Sequence, residues 1–298
     1  MKDQLAPVVV FCFNRPGHLR QTIEALRANA LAQRSRLFVF SDGPRGEQDR
    51  ERVLEVRRYI RSIDGFGNVS IAESERNRGL SRSVIEEVTG VVNEYGKVIV
   101  LEDDLVTTPD FLAVMNRLLD AYQPRQDIFS VTAYAPPFRV PAGYTKDFCL
   151  VPRASSWGWG TWADRWSAVD WGDAHYRQLL NDPRLKRQFL EGGSDLWPML
   201  YKQQTGVIDS WAVRWCAAHA VQGAYGVYPV RSKVKNIGTD GSGTNFTFST
   251  RAYDVEMNRE DVRIEADLQP DQAVIRAFKR FYDLPLYLRL KNLFRYGI

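Results

Sequence analysis

The first hundred residues alternate between short apolar runs and longer amphipathic stretches. Residues 8–13 are apolar and rich in β-branched side chains, which predicts a buried strand. The run stops at Asn14-Arg15-Pro16-Gly17, a turn that opens a helix, and Leu19, Ile23 and Leu26 then keep helical spacing. Residues 37–40 predict a second strand. Residues 47–63 predict a charged surface helix with Val53, Val56, Tyr59 and Ile60 on one stripe. A third strand over 69–73, a third helix over 80–95 and a fourth strand over 97–101 follow. The order β-α-β-α-β-α-β implies a parallel sheet with helices on both faces. Ligands of such sheets sit outside the carboxyl ends of the strands. Here those ends carry Asn14-Arg15, Asp42-Gly43 and Glu102-Asp103-Asp104.

Beyond residue 105 the pattern is less regular. Helices are expected over 109–122 and 210–221, and a charged helical stretch over 173–191. Strands are expected over 128–133, 148–151 and 226–230, with a Pro/Gly loop over 136–146 and a Gly/Ser/Thr-rich loop over 236–245. Residues 251–269 read as a charged extended arm, and 273–298 are basic and aromatic. No linker separates independent domains, so a single α/β domain is expected.

Composition narrows the class. With 44% hydrophobic and 26% charged residues the chain is neither disordered nor fibrous. A net charge of +4 is too mild for a nucleic-acid partner. Cys12, Cys149 and Cys216 are odd in number and widely spaced, which fits reduced thiols rather than a disulfide framework or a zinc site. No signal peptide is visible and no apolar run is long enough to span a bilayer. A cytoplasmic location is expected, or a peripheral one on the inner membrane face. The basic-aromatic stretch 278–296 suits an anionic membrane surface, or equally an amphipathic helix packed on the body.

The chemistry concentrates at the strand ends. Three adjacent carboxylates after a buried strand repel one another. A divalent cation with hard oxygen ligands, Mg²⁺ or Mn²⁺, removes that cost. Asp42 suits a base N–H or ribose hydroxyl, or else a plain Asp-Gly-Pro turn. Asn14-Arg15 suits ribose or phosphate, with Asn14 also a good helix cap. Asn77-Arg78-Gly79 precedes a helix whose free N–H groups favour an anion, or it is a capping turn. Five of the eight tryptophans fall within residues 157–171. Trp157 and Trp159, spaced by Gly158, are candidates to stack on sugar faces; Trp162, Trp166 and Trp171 are expected to pack a satellite core. His219 is the one histidine placed to add a metal ligand, and a core role is the plainer reading.

The combination resembles a nucleotide-sugar glycosyltransferase of the GT-A fold, more narrowly the N-acetylglucosaminyltransferase I group and its bacterial relatives. The resemblance runs through residues 8–15, Ser41-Asp42, and Val100-Leu101-Glu102-Asp103-Asp104-Leu105 with Pro109-Asp110-Phe111. It continues through Ser156-Trp157-Gly158-Trp159-Gly160, Asp209-Ser210-Trp211 and Tyr228-Pro229-Val230. It implies a Rossmann-like mixed sheet flanked by helices. The donor would lie on a βαβ half over 1–105, and 106–250 would form an acceptor-binding and catalytic half. An arm or helix over 251–298 would complete the chain.

The same resemblance implies transfer from a UDP-sugar to a glycan or lipid-linked glycan, with inversion, in bacterial surface polysaccharide assembly. Asp104 would bind the metal, and Glu102 and Asp103 the donor's ribose or sugar. Asp42 would hold the base and Arg15 the donor, and Asp209 would be the general base. Ser210 stands where that family has a second acid. Arg231, Lys233 and Lys235 beside the Gly-rich loop are candidates to assist the leaving phosphate. A sugar nucleotidyltransferase shares the sheet and a metal, but it needs a Gly-rich basic loop after the first strand. A non-catalytic carbohydrate-binding protein does not need the three carboxylates.

Overall fold

The computed structural model describes residues 4–243 and 249–296. In β1, Val8–Cys12, all five residues are buried. Side chains alternate across a strand, so Val8 and Val10 enter one apolar layer and Val9 and Phe11 the other. A strand apolar on both faces needs helices on both. α1 (Pro16–Arg27) covers the first face with Leu19, Ile23 and Leu26. β2 (Arg36–Ser41), α2 (Glu47–Ile60) and β3 (Asn68–Glu73) extend the pattern. α3 (Leu80–Tyr95) covers the second face with Val84, Val88 and Val92, and β4 (Lys97–Glu102) closes this half. β1 pairs with β2 and β4, and β2 with β3, all parallel. The elements expected here are present, with ends shifted by a few residues.

The second half runs β5 (Leu105–Thr107), α4 (Phe111–Tyr122), β6 (Ile128–Thr132), β7 (Phe148–Val151), β8 (Trp159–Trp162) and α5 (Ala163–Ser167). α6 (Ala174–Asn181), α7 (Pro183–Leu190), α8 (Leu196–Gln204), α9 (Trp211–Val221), β9 (Tyr225–Pro229) and β10 (Val234–Asn236) follow. α10 (Gln272–Tyr282) and α11 (Leu286–Tyr296) complete the chain. The main sheet has eight strands in the order β3-β2-β1-β4-β8-β6-β9-β7. β8 is antiparallel to both β4 and β6, which makes the sheet mixed. This is the α/β class expected from the sequence. The charged stretch 173–191 is two helices rather than one: Pro183 opens α7, and Asp182 caps it by accepting from the Arg184 and Leu185 N–H groups.

Two features outside the main sheet matter for function. β5 and β10 pair antiparallel as a small ribbon, which returns the chain to the end of β4, where the Ile237 N–H donates to the Asp104 carbonyl at 2.9 Å. α10 packs Val274 and Phe278 against Phe138, Val151 and Tyr228. Arg153 reinforces that packing: it binds Asp195 through two hydrogen bonds of 2.8 Å and lies 3.8 Å over the Tyr282 ring. The stretch 278–296 therefore divides. Phe278 belongs to a core, and α11 alone stays at the surface. No described helix is long and apolar enough to cross a membrane, and all three cysteines are buried free thiols.

His219 of α9 is fully buried, which answers the metal-ligand alternative with a core role. Its Nδ1–H donates to the Trp215 carbonyl at 2.9 Å, so Nε2 accepts from the Ser130 hydroxyl at 3.0 Å. Burial pushes its pKa down to about 4. Below its ordinary pKa of about 6.5 the unfolded chain gains a proton that the folded imidazole refuses. The stabilising effect is thus complete above that value and lost as pH falls toward 4. Urea unfolding should show about 2 kcal/mol lost between pH 7 and pH 5 from this group. His219→Gln should flatten that slope; an unchanged slope would reject the assignment.

Candidate active site

The carboxyl ends of β1, β2, β3 and β4 lie on one edge of the sheet because these strands are parallel and in register. Arg15, one turn after β1, reaches across to β4. Its guanidinium donates to the Asp103 carboxylate and, at 2.9 Å, to Asp104 Oδ2. Burial opposes the Arg15 charge, but Asp103 and Asp104 outweigh it and raise its pKa. Asp103 and Asp104 are themselves buried. Burial, then the neighbouring Asp104 and Asp103 charges, raises Glu102 well above the usual carboxylate range. Arg15 thus offsets part of the repulsion that suggested a cation, while burial still raises both Glu102 and Asp103.

The acids do not close a cage: no three His, Cys, Asp or Glu side chains converge as metal ligands among the described residues. Asp104 Oδ1 is nonetheless buried with no hydrogen-bond partner. An unpaired buried carboxylate oxygen is costly unless a donor or cation meets it. Mg²⁺ and Mn²⁺ commonly take one or two protein carboxylates and complete their shell from water and phosphate. The residues fit such an ion, with Asp104 as its protein ligand.

The returning ribbon covers this acid cluster. Gly238 sits so close that an added Cβ would collide with the Asp104 carboxylate and lie 2.7 Å from Arg15 Nη1. Asn236 and Gly238, the start of the Gly/Ser/Thr-rich loop expected from the sequence, thus lie against the acid cluster. A further tie joins His18 Nε2 to Asp240 Oδ2 at 3.1 Å. Beside them opens a cavity of about 240 Å³ lined by Lys235, Asn236, Thr239, Asp240, Thr250 and Arg251. Of the three basic residues expected near the leaving phosphate, only Lys235 lines this cavity. Lys233 is fully buried and donates to Asp110 at 2.5 Å and to the Glu260 carbonyl at 2.7 Å. Arg231 pairs with Glu260 at 2.6 Å. Residues 244 and 245 of the expected loop lie outside the described residues.

Several other candidates are engaged by the protein itself. Asp42 accepts from the Gly43, Arg78 and Gly79 N–H groups at 2.8, 2.8 and 3.0 Å. This carboxylate holds the turn that leads into α3, meeting the N–H of the N-cap Gly79 and of Arg78 before it. The Arg78 guanidinium turns away from the sheet edge to Glu87 at 2.6 Å and to Glu86. Asn14 caps nothing: Arg15 holds the cap position of α1, and Asn14 Nδ2 donates to Asp49 at 2.7 Å. Asp209 is 64% exposed, 3.6 Å from Arg214, and its Oδ2 lies 3.8 Å from where a Gly79 Cβ would stand. It therefore borders the turn that Asp42 holds. The N-cap of α9 is Ser210, whose hydroxyl accepts from the Val213 N–H, so Asp209 is left for other work.

The tryptophans divide differently from expectation. Trp159 is 1% exposed, stacks on Trp166 at 5.5 Å and meets Trp215 at 4.5 Å and Trp211 at 5.1 Å. It presents no face to a ligand, because β8 is an interior strand and the side of it that carries Trp159 is roofed by α5 and α9. Trp157 is half-buried, edge-on to Tyr134 at 4.5 Å and to Tyr253 at 5.5 Å. Gly158 between them has φ +63°, and a Cβ there would lie 2.9 Å from Val234. A glycine is needed on both counts.

No family model matches the chain, and no curated protein matches it. Among solved structures it is similar to a Pyrobaculum calidifontis mannosyltransferase in complex with GDP-Man and Mn²⁺, at 12% identity and TM-score 0.37, over 55% of this chain and 46% of that one. It is also similar to a TarS fragment from S. aureus, at 8% identity and TM-score 0.42, over 76% and 59%. An active-site mutant of LgtC gives 11% identity and TM-score 0.40, over 74% and 72%. The chain spans less than two thirds of the length of the first two.

Proposed function

We propose that the protein is a glycosyltransferase. It moves a sugar from a nucleoside diphosphate donor, a UDP-sugar by the sequence resemblance, to a hydroxyl of a glycan or lipid-linked glycan. The same resemblance supports inversion in one displacement, a role in bacterial surface polysaccharide assembly, and the division into a donor half (1–105) and an acceptor half (106–250). The observation that carries the reading is Asp104. Its carboxylate stands in the turn just after β4, a central strand, with Oδ2 held by Arg15 and Oδ1 buried and unpartnered.

The residues divide the work. Arg15 fixes the rotamer of Asp104 and directs one oxygen away from itself. A divalent ion, when bound at Asp104, stabilises charge on the leaving diphosphate. Lys235 brings a positive charge to the cavity beside it. Asp209, exposed on the same sheet edge, accepts the proton of the attacking hydroxyl. Trp157 offers the partly open aromatic surface for a sugar ring.

The test is calorimetric titration of UDP-, GDP- and TDP-sugars with and without Mn²⁺, followed by nucleotide release with acceptor present. Asp104→Asn should lower metal-dependent turnover by about 100-fold or more and abolish metal-dependent donor binding. Asp209→Asn should keep donor binding and lose transfer. Failure of every donor to bind with metal would reject the reading, and normal transfer by Asp209→Asn would move the base elsewhere.

A further inference from the structure

α11 is amphipathic in an unusual sense: its apolar side faces outward. Leu286, Tyr287, Leu290, Leu293 and Phe294 are 72%, 68%, 45%, 53% and 86% exposed. At about 100° per residue these five side chains share one arc of roughly 120°. Leu288 and Asn292, the half-buried and buried positions, fall on the opposite side. The helix thus rests on the body by a narrow inner face and holds a continuous apolar face away from it. Arg289 and Lys291 border the two edges of that face. Residues 284–298 contain no acidic side chain. Arg289 is steadied by the Leu284 carbonyl at 2.9 Å and lies 3.7 Å from Asp283, just before the helix, yet remains 51% exposed.

Contiguous exposed apolar surface on a soluble body marks an interaction site. The flanking charge decides the partner. Two copies meeting through α11 would bring basic edges together, and the nearest acid in sequence, Asp283, is already shared by Arg289 and Lys279 of its own copy. An anionic lipid surface accepts the apolar side chains among its acyl chains and the Arg and Lys groups at its headgroups. We infer that α11 docks the protein in the plane of an anionic membrane, with Leu286, Leu290, Leu293 and Phe294 inserted and Arg289 and Lys291 at the headgroups.

The test uses the full chain and vesicle co-sedimentation, with phosphatidylcholine vesicles against vesicles carrying about one third phosphatidylglycerol. Binding to the anionic vesicles should be about tenfold stronger or more, and should weaken as salt screens the charges. The double variant Leu290→Ser/Phe294→Ser should lose that binding by about tenfold with an unchanged circular dichroism spectrum, since both side chains are exposed. Equal or absent binding to the two vesicle types would overturn the inference. So would vesicle binding that survives the double variant. A dimer in sedimentation velocity that the same substitutions dissolve would overturn it in favour of a second copy of the chain. None of these outcomes depends on donor or acceptor, so the result stands apart from the transferase reading.

Discussion

Arg15→Met should lower the unfolding free energy by about 3–5 kcal/mol, measured by urea titration at neutral pH. The substitution keeps an unbranched, apolar stem and removes the guanidinium with its charge. Asp103 and Asp104, with side chains only 5% and 9% exposed, then lose the one ion-pair partner they have among the described residues. Uncompensated buried charge is among the few single changes that reach this magnitude. Arg15→Lys should recover part of the loss, since a point charge replaces a fork that spans two carboxylates. Millimolar Mn²⁺ should stabilise the Met variant more than the wild type if Asp104 is a cation ligand, because ligand binding to the native state adds directly to its stability. A loss below about 1 kcal/mol would mean that the acids are hydrated or protonated and that Arg15 is not their counterion.

The same residue shows how far the sequence can be read. Arg15, Asp103 and Asp104 stand at the ends of strands whose parallel order follows from their apolar pattern, so their presence on one edge is legible. Their mutual pairing is not, because side-chain direction after a strand depends on a turn that periodicity does not encode. Asp42 makes the same point. An aspartate after β2 is visible as a candidate, yet two of the three backbone N–H groups it accepts from lie more than thirty residues away, just before α3. Gly238 is the extreme case. Its contact with Asp104 spans over a hundred residues and is made through two three-residue strands, β5 and β10, too short to leave a pattern. The first half of the fold is legible because β1, β2 and β4 are largely apolar runs closed by polar turn residues, and β3 at the sheet edge alternates. The second half is less so because β8 reads Trp-Gly-Thr-Trp, with no alternation of apolar and polar positions.

That strand carries the second large effect. Trp159→Ala should cost about 3–5 kcal/mol of stability by removing the ring on which Trp166, Trp211 and Trp215 converge. The neighbours cannot collapse into the space. Trp166 is fixed by its Nε1–H bond to Thr89 Oγ1 at 2.8 Å, and Trp215 is wholly buried within α9. Trp157→Ala should cost much less, since that ring is half-buried, and should instead weaken use of the acceptor. The pair is a sharp contrast because the two residues are separated only by Gly158, whose positive φ lets Trp157 remain on one side while Trp159 enters the interior. Denaturant unfolding followed by tryptophan fluorescence separates the two effects. If Trp159→Ala kept its stability and lost acceptor use, the aromatic nest would be a sugar site and not a core. The nest also joins β8 to α9, the helix that begins two residues after Asp209. Loosening it should therefore reduce transfer through Asp209 even where Trp159 meets no substrate, and an Ala variant rescued at low temperature should regain turnover together with its fluorescence.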